Sequence, residues 1–164
     1  MEHLFWLYPG ELCGRPGPNH QPWNAATLKA AGVGAVLSVN DGESVYPDDF
    51  TRLGMPCRCI PLASNAPPRD GDLELCRDRL PAAYAWAREQ IDAKRPVMVH
   101  CRQGKDRTGL FMAYYLMARD DLDGASAIAR VMALRPIALS ATGWDRFAPE
   151  VLEACAIDLA RPGK

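Results

Sequence analysis

The sequence lacks an apolar run near the roughly 18 residues a membrane-spanning helix needs, so stable membrane insertion is not expected. It also lacks an excess of either charge: 19 basic residues stand against 20 acidic ones, for a net −1. That balance excludes a nucleic-acid partner held by bulk electrostatics. Histidine is scarce, with three in all, and neither His3 nor His20 has partners at metal-ligand spacing. Cys57 and Cys59 form a bare C-x-C with no matching His or Cys pair, so a structural metal site is not expected; no cofactor is expected either. Repeats, low-complexity tracts and linkers are missing. The first apolar stretch, Leu4 to Tyr8, has no basic residue before it, which argues against a secretory signal and for a cytoplasmic protein.

What is present is enough for one core. The chain has 164 residues, 48% of them hydrophobic and 24% charged, which fits a single domain over residues 1–164. Six cysteines make an even number, but a chain this apolar does not need disulfide staples. In a strand, Cys57 and Cys59 share a face, and core packing is expected for both.

Strand and helix patterns alternate along the chain. Asn24 caps a helix through Ala31, closed by Gly32. Ala35 to Val39 reads as a buried strand followed by the turn Asn40-Asp41-Gly42. A short helix is expected over Pro47 to Leu53, a second strand over Cys57 to Leu62, and a loop over Ser64 to Pro68. A helix from Asp72 to Ala93 carries Pro81, which should kink or split it. Pro96 to His100 is a third strand. Helices follow over Thr108 to Arg119, from the cap Asp123 to Leu134, and over Trp144 to Leu159. This order predicts an α/β fold, a short and mainly parallel sheet flanked by helices on both faces.

The informative segment is His100-Cys101-Arg102-Gln103-Gly104-Lys105-Asp106-Arg107-Thr108-Gly109. A cysteine ends a buried strand, five residues follow, and an arginine opens a helix. A short loop there can turn its N–H groups toward one centre, and the helix adds its orphan donors and positive dipole end. Arg107 offers a planar fork matched to two phosphate oxygens, and Gly104 permits the tight turn. The same positive field favours Cys101 as thiolate, the nucleophilic form. Arg102, Gln103, Gly104, Lys105, Asp106, Arg107 and Thr108 are therefore the candidate phosphate-binding residues.

C-x5-R-[ST]-G after an apolar strand resembles the signature loop of cysteine-dependent protein tyrosine and dual-specificity phosphatases. Tyr8 to Gly14 resembles that family's early PG-x-L-x-G entry. Ile60-Pro61-Leu62 with Pro67-Pro68 is similar to its acid loop, and Arg135-Pro136 with Gly143-Trp144 to its later RP…GF element. The resemblance covers most of the chain, at the size of a small bacterial-type dual-specificity phosphatase. It implies the three-layer fold of that family and a metal-independent reaction in which Cys101 forms a phosphocysteine. It further implies that Arg107 and the loop amides stabilise the transition state, that Thr108 assists the leaving sulfur, and that His100 orients the loop without acting as a base.

The general acid departs from the usual pattern. Where many relatives carry an aspartate before the Pro-Pro pair, this sequence has Ser64. Asp70 and Asp72 lie before Cys101 at a separation typical of the family's acid, though Asp72 also suits helix capping and first-turn dipole charge. The string Gly104-Lys105-Asp106-Arg107-Thr108-Gly109 resembles a branch of bacterial lipid and tyrosine phosphatases, and the myotubularins, in which the loop aspartate is the acid. Asp106 is preferred and Asp70 stands second. Lys105 is similar to the loop lysine of phosphoinositide phosphatases, so the substrate is either a phosphotyrosine, phosphoserine or phosphothreonine protein or a phosphoinositide-like ester. For Arg102 and Lys105, a plain role as solvated rim charges weighs equally. Trp6, Trp23, Trp86 and Trp144 are read as core or rim packing. A rhodanese-like sulfurtransferase and a phosphate-binding pseudophosphatase are the rival readings. A rhodanese loop usually holds four residues where this one holds five, and a pseudophosphatase normally loses the Cys or the Arg. An arsenate reductase of the low-molecular-weight type would carry its loop near the N-terminus. Oligomeric state is not legible.

Overall fold

The computed structural model describes residues 3–161. Its strands are β1 (Phe5–Tyr8), β2 (Leu12–Pro16), β3 (Ala35–Ser38), β4 (Cys57–Cys59) and β5 (Val97–Cys101). Its helices are α1 (Ala25–Ala30), α2 (Pro47–Thr51), α3 (Asp72–Asp92), α4 (Arg107–Asp120), α5 (Gly124–Leu134) and α6 (Trp144–Leu159). The strands form one sheet in the order β1-β2-β5-β3-β4. β2, β5, β3 and β4 run parallel, and β1 joins β2 antiparallel.

The two-residue period of the strands divides the apolar side chains between two cores. Val97, Val99 and Cys101 of β5 enter the core shared with α3 to α6. Met98 enters the smaller one, with Leu28 of α1 and Phe50 of α2. β3 repeats the division, Ala35 and Leu37 on one side and Val36 on the other. The result is the expected α/β fold, a mainly parallel sheet with helices on both faces.

α4 is the central helix of the larger layer. Every residue from Thr108 to Met117 is buried, the pattern of a helix enclosed on all sides. Each large apolar side chain so buried contributes ~1.5–3 kcal/mol, and this anchors the helix start beside Cys101.

Several sequence expectations need correction. Tyr8 to Gly14 reads in the sequence only as a motif, yet β1 and β2 form a hairpin there, with Glu11 N–H closing the Pro9-Gly10 turn onto Tyr8 O at 2.9 Å. These strands are too short and mixed to alternate visibly. The second strand ends at Cys59 instead of Leu62. Ile60 and Leu62 still donate to Ser38 O and Val39 O, but the intervening Pro61 has no N–H to extend the ladder. Pro81 does not split α3, which is one element with Pro81 on its exposed side. Cys59 is exposed and Cys57 half-buried, because β4 is a three-residue edge strand and not a core one. Among the described residues, no helix is long and apolar enough to cross a membrane.

Candidate active site

Cys101 ends β5, the strand flanked by β2 on one side and β3 on the other. Its side chain sits where a parallel sheet opens at its carboxyl edge, the usual place for a ligand. The five residues after it turn back into α4, and the carbonyls of the first four are claimed from outside the loop, while Asp106 O accepts from Leu110 N within α4. Arg102 O accepts from Gly17 N at 2.9 Å, and Lys105 O accepts from Leu139 N at 3.3 Å. Arg135 donates from Nη2 to Gln103 O at 2.8 Å and from Nε to Gly104 O at 3.2 Å. A trans peptide sends its N–H opposite to its carbonyl. Outward carbonyls at 102 to 105 therefore leave the amides of 103 to 106 directed inward, toward the N-terminus of α4. Gly104 is required for this path. It has φ +66°, and a Cβ there would stand 2.7 Å from backbone atoms of Arg15 and Pro16.

The loop surrounds a hollow of about 220 Å³, lined by Asn40, Ala141 and residues 101, 102, 103, 105, 106 and 107. Larger hollows lie beside Trp23 (about 370 Å³) and between α5 and α6 (about 460 Å³), but neither is lined by a cysteine. Cys101 is buried, and Thr108 Oγ1 donates to its Sγ at 3.1 Å. Arg107 is held by three neighbours. Its Nε donates to Ala63 O at 2.7 Å, its guanidinium lies 4.7 Å over the Trp144 ring, and Nη1 is 3.9 Å from Asp106 Oδ2.

The candidate carboxyls separate clearly. Asp106 is 3% exposed and lines the hollow. Its Oδ2 accepts from Lys105 Nζ at 2.8 Å and its Oδ1 from Ala141 N at 3.1 Å. Asp70 is exposed on the turn before α3 and is not among the lining residues. Asp72 is buried and accepts from Arg69 N at 2.7 Å and Asn65 Nδ2 at 3.1 Å. It thus ties the loop ahead of α3, and the α3 N-cap is Gly71. Ser64 is exposed. Lys105 is only partly free, since it also donates to Ser140 Oγ at 3.2 Å, whereas Arg102 is exposed on the rim.

His100 lies beneath the loop and is fully buried. Its Nε2 is 2.6 Å from Ser38 Oγ, its Nδ1 is 3.3 Å from Cys101 O, and Trp23 meets its ring edge-on at 5.0 Å. Burial pushes its pKa down to about 4, so at neutral pH the ring is uncharged where it meets Ser38 and the Cys101 backbone. Sequence reasoning misses Asn40, Ala141, Arg135 and Ala63 as site residues. Asn40 reads as part of a turn, and Ala63 and Ala141 act through backbone atoms, which leave no mark in residue type. Arg135 stands out only as part of a motif, with no contact assigned.

Residues 1–142 match the model of the DSP-PTPase phosphatase domain of Swiss Army Knife proteins. No protein of curated function matches the chain in sequence. Among solved structures, the active form of Tk-PTP is similar at 17% identity and TM-score 0.72, covering 93% of this chain and 97% of that one. Human DUSP28 gives 21% identity and TM-score 0.70 over 94% of this chain and 95% of that one. PTPMT1 in complex with PI(5)P gives 14% identity and TM-score 0.71 over 97% and 100% respectively. At these identities the likeness is one of fold.

Proposed function

The chain belongs to the DSP-PTPase phosphatase family, and on that footing we propose that it hydrolyses phosphomonoesters through a phosphocysteine on Cys101. The observation that carries the reading is convergence: Cys101, the fork of Arg107 and the inward amides of one loop face a single small hollow. Cys101 sulfur attacks phosphorus, and the bond from phosphorus to the leaving oxygen breaks. Arg107 and the amides of 103 to 106 take the equatorial oxygens, where charge must be held during transfer. Asp106 delivers the proton to the leaving oxygen; of the two aspartates favoured from sequence, it lines the hollow and Asp70 does not. Water then attacks the phosphocysteine, giving a proton to the Asp106 carboxylate, and the phosphorus–sulfur bond breaks to release inorganic phosphate and the Cys101 thiolate. The Thr108 hydroxyl stabilises the departing thiolate, and none of these steps calls on a metal.

Size and charge support a substrate class. The hollow is small, and Arg102 stands exposed at its rim while Lys105 is engaged by Asp106 and Ser140. This fits a phosphoester presented on a protruding group, on a phosphorylated protein side chain or a phosphoinositide-like headgroup. PTPMT1, whose fold this chain shares, was solved with PI(5)P bound.

The test is hydrolysis of p-nitrophenyl phosphate in EDTA by wild type and Cys101→Ser, with and without orthovanadate. The expected result is turnover that vanadate blocks and the substitution abolishes. A folded wild type that binds vanadate without turnover would replace the hydrolase with a phosphate-binding role. Thiosulfate sulfurtransfer in its place would favour the rhodanese-like reading.

A further inference from the structure

The sequence reads Trp144 as a packing residue, and it is fully buried at the first position of α6. Its contacts show more than packing. A buried indole N–H needs an acceptor, and Trp144 Nε1 donates to Asn65 O at 2.9 Å. The ring lies beneath the Arg107 guanidinium at 4.7 Å, and Arg107 Nε donates to Ala63 O at 2.7 Å. Arg107, Ala63, Asn65 and Trp144 thus form a closed circuit of contacts.

The turn that delivers Trp144 is pressed against the same loop. Gly143 has φ +81°, and a Cβ there would stand 2.8 Å from Pro68 Cδ and 3.2 Å from Pro67 Cβ. A guanidinium has two faces and a set of N–H edges. Here one face rests on the indole and the Nε edge on Ala63. Of the terminal nitrogens, Nη1 stands 3.9 Å from Asp106 Oδ2, beyond hydrogen-bond distance, so both still have N–H groups to offer a ligand.

We infer that Trp144 is a positioning residue whose ring and N–H couple the Arg107 guanidinium to the Ala63–Asn65 segment, fixing the fork that receives the phosphoryl group. The inference rests on the phosphoryl-binding role proposed for Arg107. Two separate actions are involved. The aromatic face orients the cation. The indole N–H ties that face to the loop that also accepts from Nε. A fork held this way needs no reordering when charge develops on the phosphoryl oxygens.

The test compares Trp144→Phe, which keeps an aromatic face and loses the N–H, with Trp144→Leu, which keeps apolar bulk and loses both. Orthovanadate affinity by calorimetry, and kcat and KM for p-nitrophenyl phosphate, are measured with Arg107 intact and again in the Arg107→Lys background. Vanadate affinity should fall about threefold for Phe and roughly 30-fold for Leu. In the Arg107→Lys background the Leu penalty should shrink to about threefold or less. Equal losses for Phe and Leu, or a Leu penalty undiminished in that background, would overturn the inference and leave Trp144 as packing. Should Trp144→Leu fail to fold, the same cycle with Trp144→Phe decides: its loss disappears in the Arg107→Lys background if the indole N–H tie to Asn65 acts through the guanidinium, and persists if it does not, which would overturn the inference. Coupled vanadate affinity with no wild-type turnover would sink the hydrolase reading alone. Wild-type turnover with uncoupled affinities would sink this inference alone.

Discussion

Thr108 Oγ1 donates its hydrogen bond to Cys101 Sγ over 3.1 Å, between two side chains withdrawn from solvent. A donor to a sulfur that must depart as thiolate acts mainly on the second half of the proposed reaction. Thr108→Ala should therefore let phosphoenzyme accumulate. Rapid mixing with p-nitrophenyl phosphate should show a burst of one equivalent of nitrophenolate followed by a steady state slowed about 10- to 100-fold, the worth of a hydrogen bond to a charged group. Thr108→Ser should restore wild-type kinetics. A Thr108→Ala enzyme that is slow without a burst would place the hydroxyl's effect in the first half instead.

Asp106 holds two donors at once, Lys105 Nζ and Ala141 N. In the proposed reaction Lys105 must let go before that carboxyl can serve the leaving oxygen. Asp106→Asn keeps much of the shape and removes the proposed acid. The loss should depend on the leaving group, at about 10²- to 10⁴-fold for an alkyl phosphate and only a few-fold for p-nitrophenyl phosphate. Parallel losses on the two substrates would instead assign Asp106 to loop geometry. In that case Asp70→Asn is the next variant to assay.

How much of this is legible in the sequence varies by element. The strand before Cys101 and the helix after it stand out because each is an apolar run with its own period, bounded by Gly104 and the polar loop. α5 and α6 are placed at their observed limits by a cap, Asp123, and by Arg135-Pro136 and Gly143. β1 and β2 are invisible as strands: four and five residues long, β2 is held by pairing with β5, and β1 by pairing with β2, where Gly14 meets the Phe5 ring. Cys101 and Arg107 of the proposed site are readable because spacing along the chain fixes them. The groups that orient them are not, because Ala63, Asn65, Ala141 and Trp144 arrive from distant segments and three of them act through the backbone.

His100 gives a pH dependence with a definite sign. Burial lowers its folded pKa from 6.5 to about 4. Between those values the unfolded chain carries the extra proton, so stability rises with pH through that window and is fully present above it. The full difference amounts to about 3 kcal/mol. Melting temperatures from pH 4 to pH 7.5 should climb more steeply for wild type than for His100→Gln, which has no titrating ring. Superimposable slopes would mean that this imidazole does not control acid stability.

Arg135 offers the clearest separation of loop geometry from stability. It sits at the C-cap of α5, donates to Gln103 O and Gly104 O, and lies 5.0 Å over the Phe5 ring. Burial pulls its pKa below the ordinary guanidinium value, with Cys101 pushing the other way. The two carbonyls it grips set the direction of the amides that follow them, at Gly104 and Lys105. Lysine presents a point charge and no fork, so it cannot serve both acceptors in the same geometry. Arg135→Lys should cost about tenfold in vanadate affinity and a similar factor in kcat/KM, mainly through KM, because the amides meet phosphate in the ground state too. Phe5→Leu removes the ring and leaves the carbonyls gripped. It should lower the melting temperature by a few degrees with kcat/KM intact for the folded fraction. Matched losses of activity in the two variants would show that the β1 contact, and not the grip on the loop, is what holds the amides in place.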